Sequence, residues 1–163
     1  MLVARNAGRC GPLVIHYRND VRRSGVDGRA LVSTAKRLLC AMEESGALSL
    51  TLIGDEAIRA LNRAYRGKDT PTDVLSFPMD GPGTPPAGER LLGDVVISVD
   101  TARRQAAEYD ASLQREIYRL LIHGLLHLMG HDHELAEQRR AMEREERRLA
   151  DAIALPWPYA SKT

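Results

Sequence analysis

LLIHGLLHLMGHDH, residues 120–133, decides how the rest of the chain is read. Its first ten residues are apolar nearly all the way round, which is the mark of a helix buried in the middle of a domain. Gly130 falls where that helix should stop, because glycine takes the left-handed conformation at little cost. Inside the helix His123 and His127 are four residues apart, on one face and one turn apart. With the chain turned back after Gly130, His133 can bring a third ring nitrogen towards the same point. A lone histidine on an apolar face is more often a satisfied core residue, but buried imidazoles need hydrogen-bond partners or a metal. Three at this spacing are expected to hold one metal ion. Zinc is the first choice, because three nitrogens and an open fourth position match its catalytic sites; nickel, copper or manganese suit the same nitrogens. His131, the nearest spare histidine, is expected to point away.

The skeleton His-x-x-x-His-x-x-Gly-x-x-His resembles the metal motif of the metzincin proteases. One position departs from it. Where those proteases carry a glutamate general base, after the first histidine, this chain has Gly124. Glycine accepts no proton, which argues against a peptidase. Asp132, next to a ligand candidate, either replaces the base or orients a histidine from behind.

Working outward, LVIHY (13–17), LSLTLI (48–53), DVLSF (73–77) and DVVISV (94–99) read as strands. Helices are expected at 27–45, capped by Asp27 and ended by Gly46, and from a capping Asp55, with Ile58, Leu61 and Tyr65 on its inner face. Others follow at 100–109, 112–130 and 134–152. Strands alternating with helices and then a run of helices imply an α+β, two-layer α/β domain over residues 1–163. Its expected core is a single four-stranded mixed sheet packed with about five helices, with the metal site on the central buried one. MDGPGTPPAGER (79–90) is a Pro- and Gly-rich loop, read either as functional and mobile or as a tolerated insertion.

Composition narrows the function classes. The 163 residues carry a net charge of only +1, so any polyanion site must be a local patch. Cys10 and Cys40 lack metal-like spacing and read as free thiols of a reducing compartment. The N-terminal stretch has no apolar run of signal-peptide length, and no segment reaches the roughly 20 apolar residues of a membrane span. The cytoplasm is the expected location.

A second stretch carries a more specific resemblance. LNRAYRGKDTPTDVLSFP (61–78), LLGDVVIS (91–98) and HGLLHLMGHDH (123–133) follow one another as in the YbeY family of bacterial endoribonucleases, and the chain resembles that family over about 58–133. The resemblance implies a zinc-dependent, single-strand-specific endoribonuclease. Its implied work is ribosomal RNA maturation, notably at the 3′ end of the small-subunit (16S) RNA, and ribosome quality control. Implied partners are the small ribosomal subunit, ribosomal proteins and an assembly GTPase, with no membrane. Carried over by position, His123, His127 and His133 are the zinc ligands and Arg66 is the functional arginine. His131 stands where the family often has tyrosine.

Physical chemistry supports roles for the basic residues. Phosphodiester cleavage develops charge on phosphoryl oxygens, and a guanidinium grips two at once. Arg66 sits just past a predicted helix, in a loop with Lys68. Arg59 and Arg63 precede it at helical spacing and form either a track for an RNA backbone or a solvated face. Thr70-Pro71-Thr72-Asp73 is a rigid turn that lines the site or shapes it. The alternating charges of 137–148 read as a solvated face. Aromatic content is 4%, so RNA binding is expected to lean on phosphates rather than stacking. The proton acceptor stays open between Asp132, a metal-activated water that needs no protein base, and attack by a ribose 2′-OH. Two other functions stay open beside the nuclease: a ribosome-assembly factor whose zinc only holds the fold, and a zinc peptidase.

Overall fold

The computed structural model describes residues 10–79 and 90–157. The expected loop at 79–90 therefore lies, apart from its two end residues, outside the described residues. The described elements run β1 (Leu13–Asn19), α1 (Gly28–Ala41), β2 (Gly46–Ile53), α2 (Asp55–Arg66), β3 (Val74–Pro78), β4 (Leu91–Ser98), α3 (Val99–Glu108), α4 (Leu113–Leu128) and α5 (Ala136–Ala152). The fold is α+β. One four-stranded sheet has the order β1-β2-β4-β3, with β1, β2 and β4 parallel and β3 antiparallel to β4. Parallel neighbours need a crossover, and α1 supplies it between β1 and β2. β3 is an edge strand, so one side of its backbone ladder faces away from the sheet.

Alternation along the strands sorts the helices between the faces. Leu48, Leu50 and Leu52 of β2 point into the main core with Val95 and Ile97 of β4, under α1, α3, α4 and α5. Val96 points the other way and joins Ile53, Ile58 and Leu75 in a smaller cluster under α2. β4 is thus covered on both sides, which explains its nearly unbroken apolar run. The helix carrying His123 and the helix carrying Arg66 consequently lie on opposite faces, and residues of both line one cleft along the edge strand β3.

Local chemistry sets the helix ends. Asp27 Oδ1 accepts from the Ala30 amide at 3.0 Å and caps α1. α1 stops at Ala41, short of the expected Gly46, which instead opens β2. Gly46 has φ +128°, and a Cβ there would come 2.3 Å from the carbonyl oxygen of Arg90, so its glycine serves a backbone approach rather than a helix stop. α2 is capped by Gly54 and not by Asp55. The Asp55 carboxylate instead accepts from Ser98 Oγ at 2.7 Å, Thr101 Oγ1 at 2.7 Å and Arg104 Nη2 at 2.8 Å, tying α2 to α3. Burial alone would raise the Asp55 pKa; the bonds from Thr101, Ser98 and Arg104 outweigh it and hold the carboxyl below the usual aspartate value.

One polar chain crosses the interior beside the sheet. Glu116 is fully buried and gripped by Arg119, whose Nη2 donates to Gln105 Oε1 at 3.3 Å. Gln105 Nε2 in turn donates to Asp73 Oδ2 at 3.1 Å, just before β3. Helices α4 and α3 thereby position the entry to the edge strand. Cys10 and Cys40 are free thiols. Among the described residues no helix is long and apolar enough to cross a membrane.

Candidate metal centre

α4 ends in hydrogen bonds that turn the chain back on itself. The Gly130 amide donates to the His127 carbonyl at 3.1 Å and the His131 amide to the Leu126 carbonyl at 3.0 Å, with Gly130 at φ +89°. This is the left-handed helix stop expected of that glycine. Asp132 Oδ1 then accepts from the His133 amide at 2.7 Å and stiffens the returning turn. The result brings three imidazoles together: ring centroids are 4.6 Å apart for His123 and His127, 5.3 Å for His127 and His133, and 6.0 Å for His123 and His133.

The donor set fits a metal ion. One ring nitrogen from each of the three histidines lies within 4.8 Å of the others, and the Nε2 atoms of His123 and His127 are 3.0 Å apart. Tetrahedral ligands at zinc–nitrogen distances stand about 3.3 Å from one another, so small side-chain adjustments suffice. No fourth histidine, cysteine or acid joins the group among the described residues, and His131 stays outside it although it lines the same cleft. Burial first, and then the neighbouring His123 and His133, push the His127 pKa below the ordinary histidine value. Those influences outweigh the opposite pull of the His131 backbone and Asp132, and they favour the neutral imidazole that ligates metals.

α5 adds a residue that sequence reasoning missed. Glu146 Oε1 lies 3.0 Å from His123 Nδ1, with the glutamate side chain only 12% exposed. A carboxylate accepts, so Nδ1 carries the proton and the Nε2 lone pair is left facing the other histidines. The 137–148 stretch is therefore not simply a solvated face. Glu145 and Arg148 do form the intrahelical pair expected there, at 2.8 Å, but Arg148 also donates to the Ala41 carbonyl at 3.0 Å. The acid–base alternation of this helix hides Glu146, because its partner is 23 residues away in sequence.

Gly124 has a structural reason of its own. A Cβ there would lie 2.9 Å from Val95 Cγ1, 3.2 Å from Ser76 Oγ and 3.2 Å from Val74 Cγ2. Ser76 Oγ also donates to the Gly124 carbonyl at 2.8 Å. The position faces the sheet and not the histidines. A glutamate at 124 has no room in this packing, and glycine there lets α4 press against β3 and β4.

The three histidines form one wall of a cleft of about 780 Å³. Edge strand β3 at 74–77, the 130–134 turn, and Tyr65, Arg66, Thr72 and Asp73 line the rest of it. Of the basic residues singled out in the sequence, Arg66 lines this cleft, whereas Arg59, Arg63 and Lys68 do not. Arg59 donates twice to Asp69, at 2.9 and 3.2 Å, and Arg63 lies 3.9 Å from the same carboxylate. Buried Asn62 adds a 2.8 Å bond from Nδ2 to the Thr70 carbonyl. These contacts fold the 67–70 loop back onto α2 behind Arg66. Asp73 lines the cleft, but its oxygens accept from the Val74 amide at 2.8 Å, from Thr72 and from Gln105.

Comparison with known proteins places this geometry in a family context. A family model described as Endoribonuclease YbeY matches residues 17–154. The chain is 46% identical over 140 residues to a protein of Moorella thermoacetica named Endoribonuclease YbeY, covering 78% of this chain and 90% of that one. It is 49% identical over 144 residues to one of the same name from Anaeromyxobacter, covering 88% and 73%. A solution structure of TM1509 from Thermotoga maritima superimposes with a TM-score of 0.54 at 22% identity, over 86% of this chain and 92% of that one. At that identity the likeness speaks for the fold alone.

Proposed function

The chain belongs to the endoribonuclease YbeY family, and on that premise we propose that the three-histidine cleft is the active site of a zinc-dependent, single-strand-specific endoribonuclease. The enzyme class, a nuclease acting on RNA, follows from the family. One observation carries the proposal: three imidazole donors within 4.8 Å form a wall of an open cleft that Arg66 also lines.

The residues divide the work. Zinc held by His123, His127 and His133 would supply Lewis acidity towards a phosphoryl oxygen and activation of a water or hydroxyl nucleophile. Glu146 keeps the His123 ring turned so that Nε2 faces the ligand group. Arg66 is suited to pair with the phosphate and stabilise the charge that grows on its oxygens during cleavage. Asp132 acts as a positioning residue through the His133 amide rather than as a displaced protease base. Arg59 holds the loop behind Arg66 through Asp69, and Lys68, outside the cleft lining, serves as a peripheral contact for RNA backbone.

Two rival readings are weaker. A peptidase needs a proton acceptor at position 124, where the helix–sheet contact leaves no space. A zinc site that only stabilises an assembly factor has no use for an open cleft with an exposed ligand, His133. The family resemblance further supports ribosomal RNA as substrate, including the 3′ end of the small-subunit RNA, in the cytoplasm. It likewise supports the small subunit, ribosomal proteins and an assembly GTPase as partners, and residues 1–163 as one catalytic domain. Incubating metal-loaded protein with single-stranded RNA and with casein, each with and without chelator, tests the reading. RNA cleavage abolished by chelator, with casein intact, is expected; cleaved casein and untouched RNA would reverse the assignment.

A further inference from the structure

Resting on that nuclease reading, we propose that Tyr65 is the substrate-positioning residue on which the base beside the bound phosphate stacks. Of the large apolar side chains left exposed among the described residues, Tyr65 alone lines the histidine cleft, and it is 69% exposed. The neighbouring Leu61 and Phe77 are drawn into the small cluster under α2; Tyr65, expected on the inner face with Ile58 and Leu61, is not part of it and turns outward instead. Its ring is nonetheless placed, standing edge-on to Phe77 with centroids 5.2 Å apart and planes at 62°. An edge contact covers at most one face of the Tyr65 ring and leaves the other available. The core makes little use of this aromatic surface, and the cleft is where it is presented.

Position gives the ring its partner. Tyr65 and Arg66 are consecutive in the last turn of α2, which the left-handed Gly67 ends. Both side chains line the histidine cleft, so a phosphate held there by Arg66 brings its own nucleotide within reach of the Tyr65 ring. Tyr65 and Phe77 also line a second cavity of about 740 Å³ on the α2 side of the sheet, so the ring stands where the two hollows meet. A base turned out of its strand can lie on an aromatic face, and such stacking tolerates any sequence because every base has a π-face. A base inside a duplex has both faces covered by its neighbours. Stacking on Tyr65 thus selects for unpaired RNA, and it adds a base contact to what composition alone describes as phosphate-led binding.

The test uses metal-loaded protein and a short 2′-O-methyl oligoribonucleotide, checked on a gel to stay intact, carrying one 2-aminopurine moved along the strand. Wild-type protein is expected to change the stacking-sensitive fluorescence at one position only. Tyr65→Leu, which keeps an apolar contact to Phe77, should weaken binding at least about fivefold, the lower end of the stacking scale, and Tyr65→Phe should restore it. An oligonucleotide abasic at the responsive position should bind wild type and Tyr65→Leu alike. Equal affinity of wild type and Tyr65→Leu for the intact strand, or a leucine penalty that persists on the abasic one, overturns the stacking role. If wild type meanwhile cuts single-stranded RNA, only this inference falls; if it neither binds nor cuts, the nuclease reading falls with it.

Discussion

The two helices that frame the cleft are held by different physics. α4 buries nine of its residues, eight of them apolar or glycine, and sits so close to the sheet that position 124 admits no side chain. α2 buries only Ile58 and Asn62. It is anchored by polar clamps: Asp55 to α3 at one end, Arg59 and Asn62 to the 67–70 loop at the other. The difference matches what each wall has to do. Metal ligands must converge to within fractions of an ångström, which a close-packed apolar frame provides. A guanidinium gripping a phosphate works from a long side chain whose charge reaches further, so its helix tolerates a softer mounting.

Breaking the rigid wall should have the largest effect. His127→Ala removes a donor, and metal binding at one ion per chain should be lost together with cleavage; stoichiometric metal in the purified variant contradicts the ligand assignment. Arg66→Ala should leave metal content and melting temperature intact while cleavage falls about 100- to 1,000-fold, measured under single-turnover conditions. Glu146→Gln removes the acceptor behind His123 and should weaken metal affinity about 10- to 100-fold in competition with a chromogenic chelator, with little change in fold. Gly124→Ala tests the packing itself: overfilling the contact with Val95 should cost about 1–3 kcal/mol, read as a lower melting temperature, whereas an unchanged melt means that α4 yields locally.

The smallest expected effect probes the soft wall by pH. Asp55 titrates below its unfolded value of about 4, so in acid the unfolded chain takes up the proton first. Its contribution is full above that value and is lost as the pH falls through the lower folded value. Urea unfolding from about pH 6 to about pH 3 should show wild type losing stability more steeply than Asp55→Asn, by about 1 kcal/mol. Parallel curves mean that the Asp55 clamp adds nothing measurable.

Much of this was legible in the sequence because it is local. The apolar run of 120–129, the four-residue step between His123 and His127 and the glycine at 130 are consequences of helix geometry, and the structure follows them. Asp27 caps α1 as its residue type predicts. What escaped is long-range. Gly46 looks like a helix stop until the Arg90 carbonyl, far along the chain, is seen against it. Asp55 resembles a cap, but its partners are 43 to 49 residues away. Glu146 sits in a charged helix where its neighbour Glu145 does pair locally, with Arg148. Arg59 and Arg63 keep the spacing of a track, yet Asp69 draws both aside. Gly124 reads as the loss of a protease base; in three dimensions it is the gap through which a helix meets its sheet.

The most direct measurement is single-turnover cleavage of one end-labelled single-stranded RNA by fully metal-loaded protein, by the same protein after chelation, and by Arg66→Ala. Cleavage by the loaded wild type alone, with at least about a hundredfold less in Arg66→Ala at equal metal content, is the predicted result. RNA left intact by loaded wild type, or cut equally with and without metal, would contradict a metal-centred nuclease in this cleft.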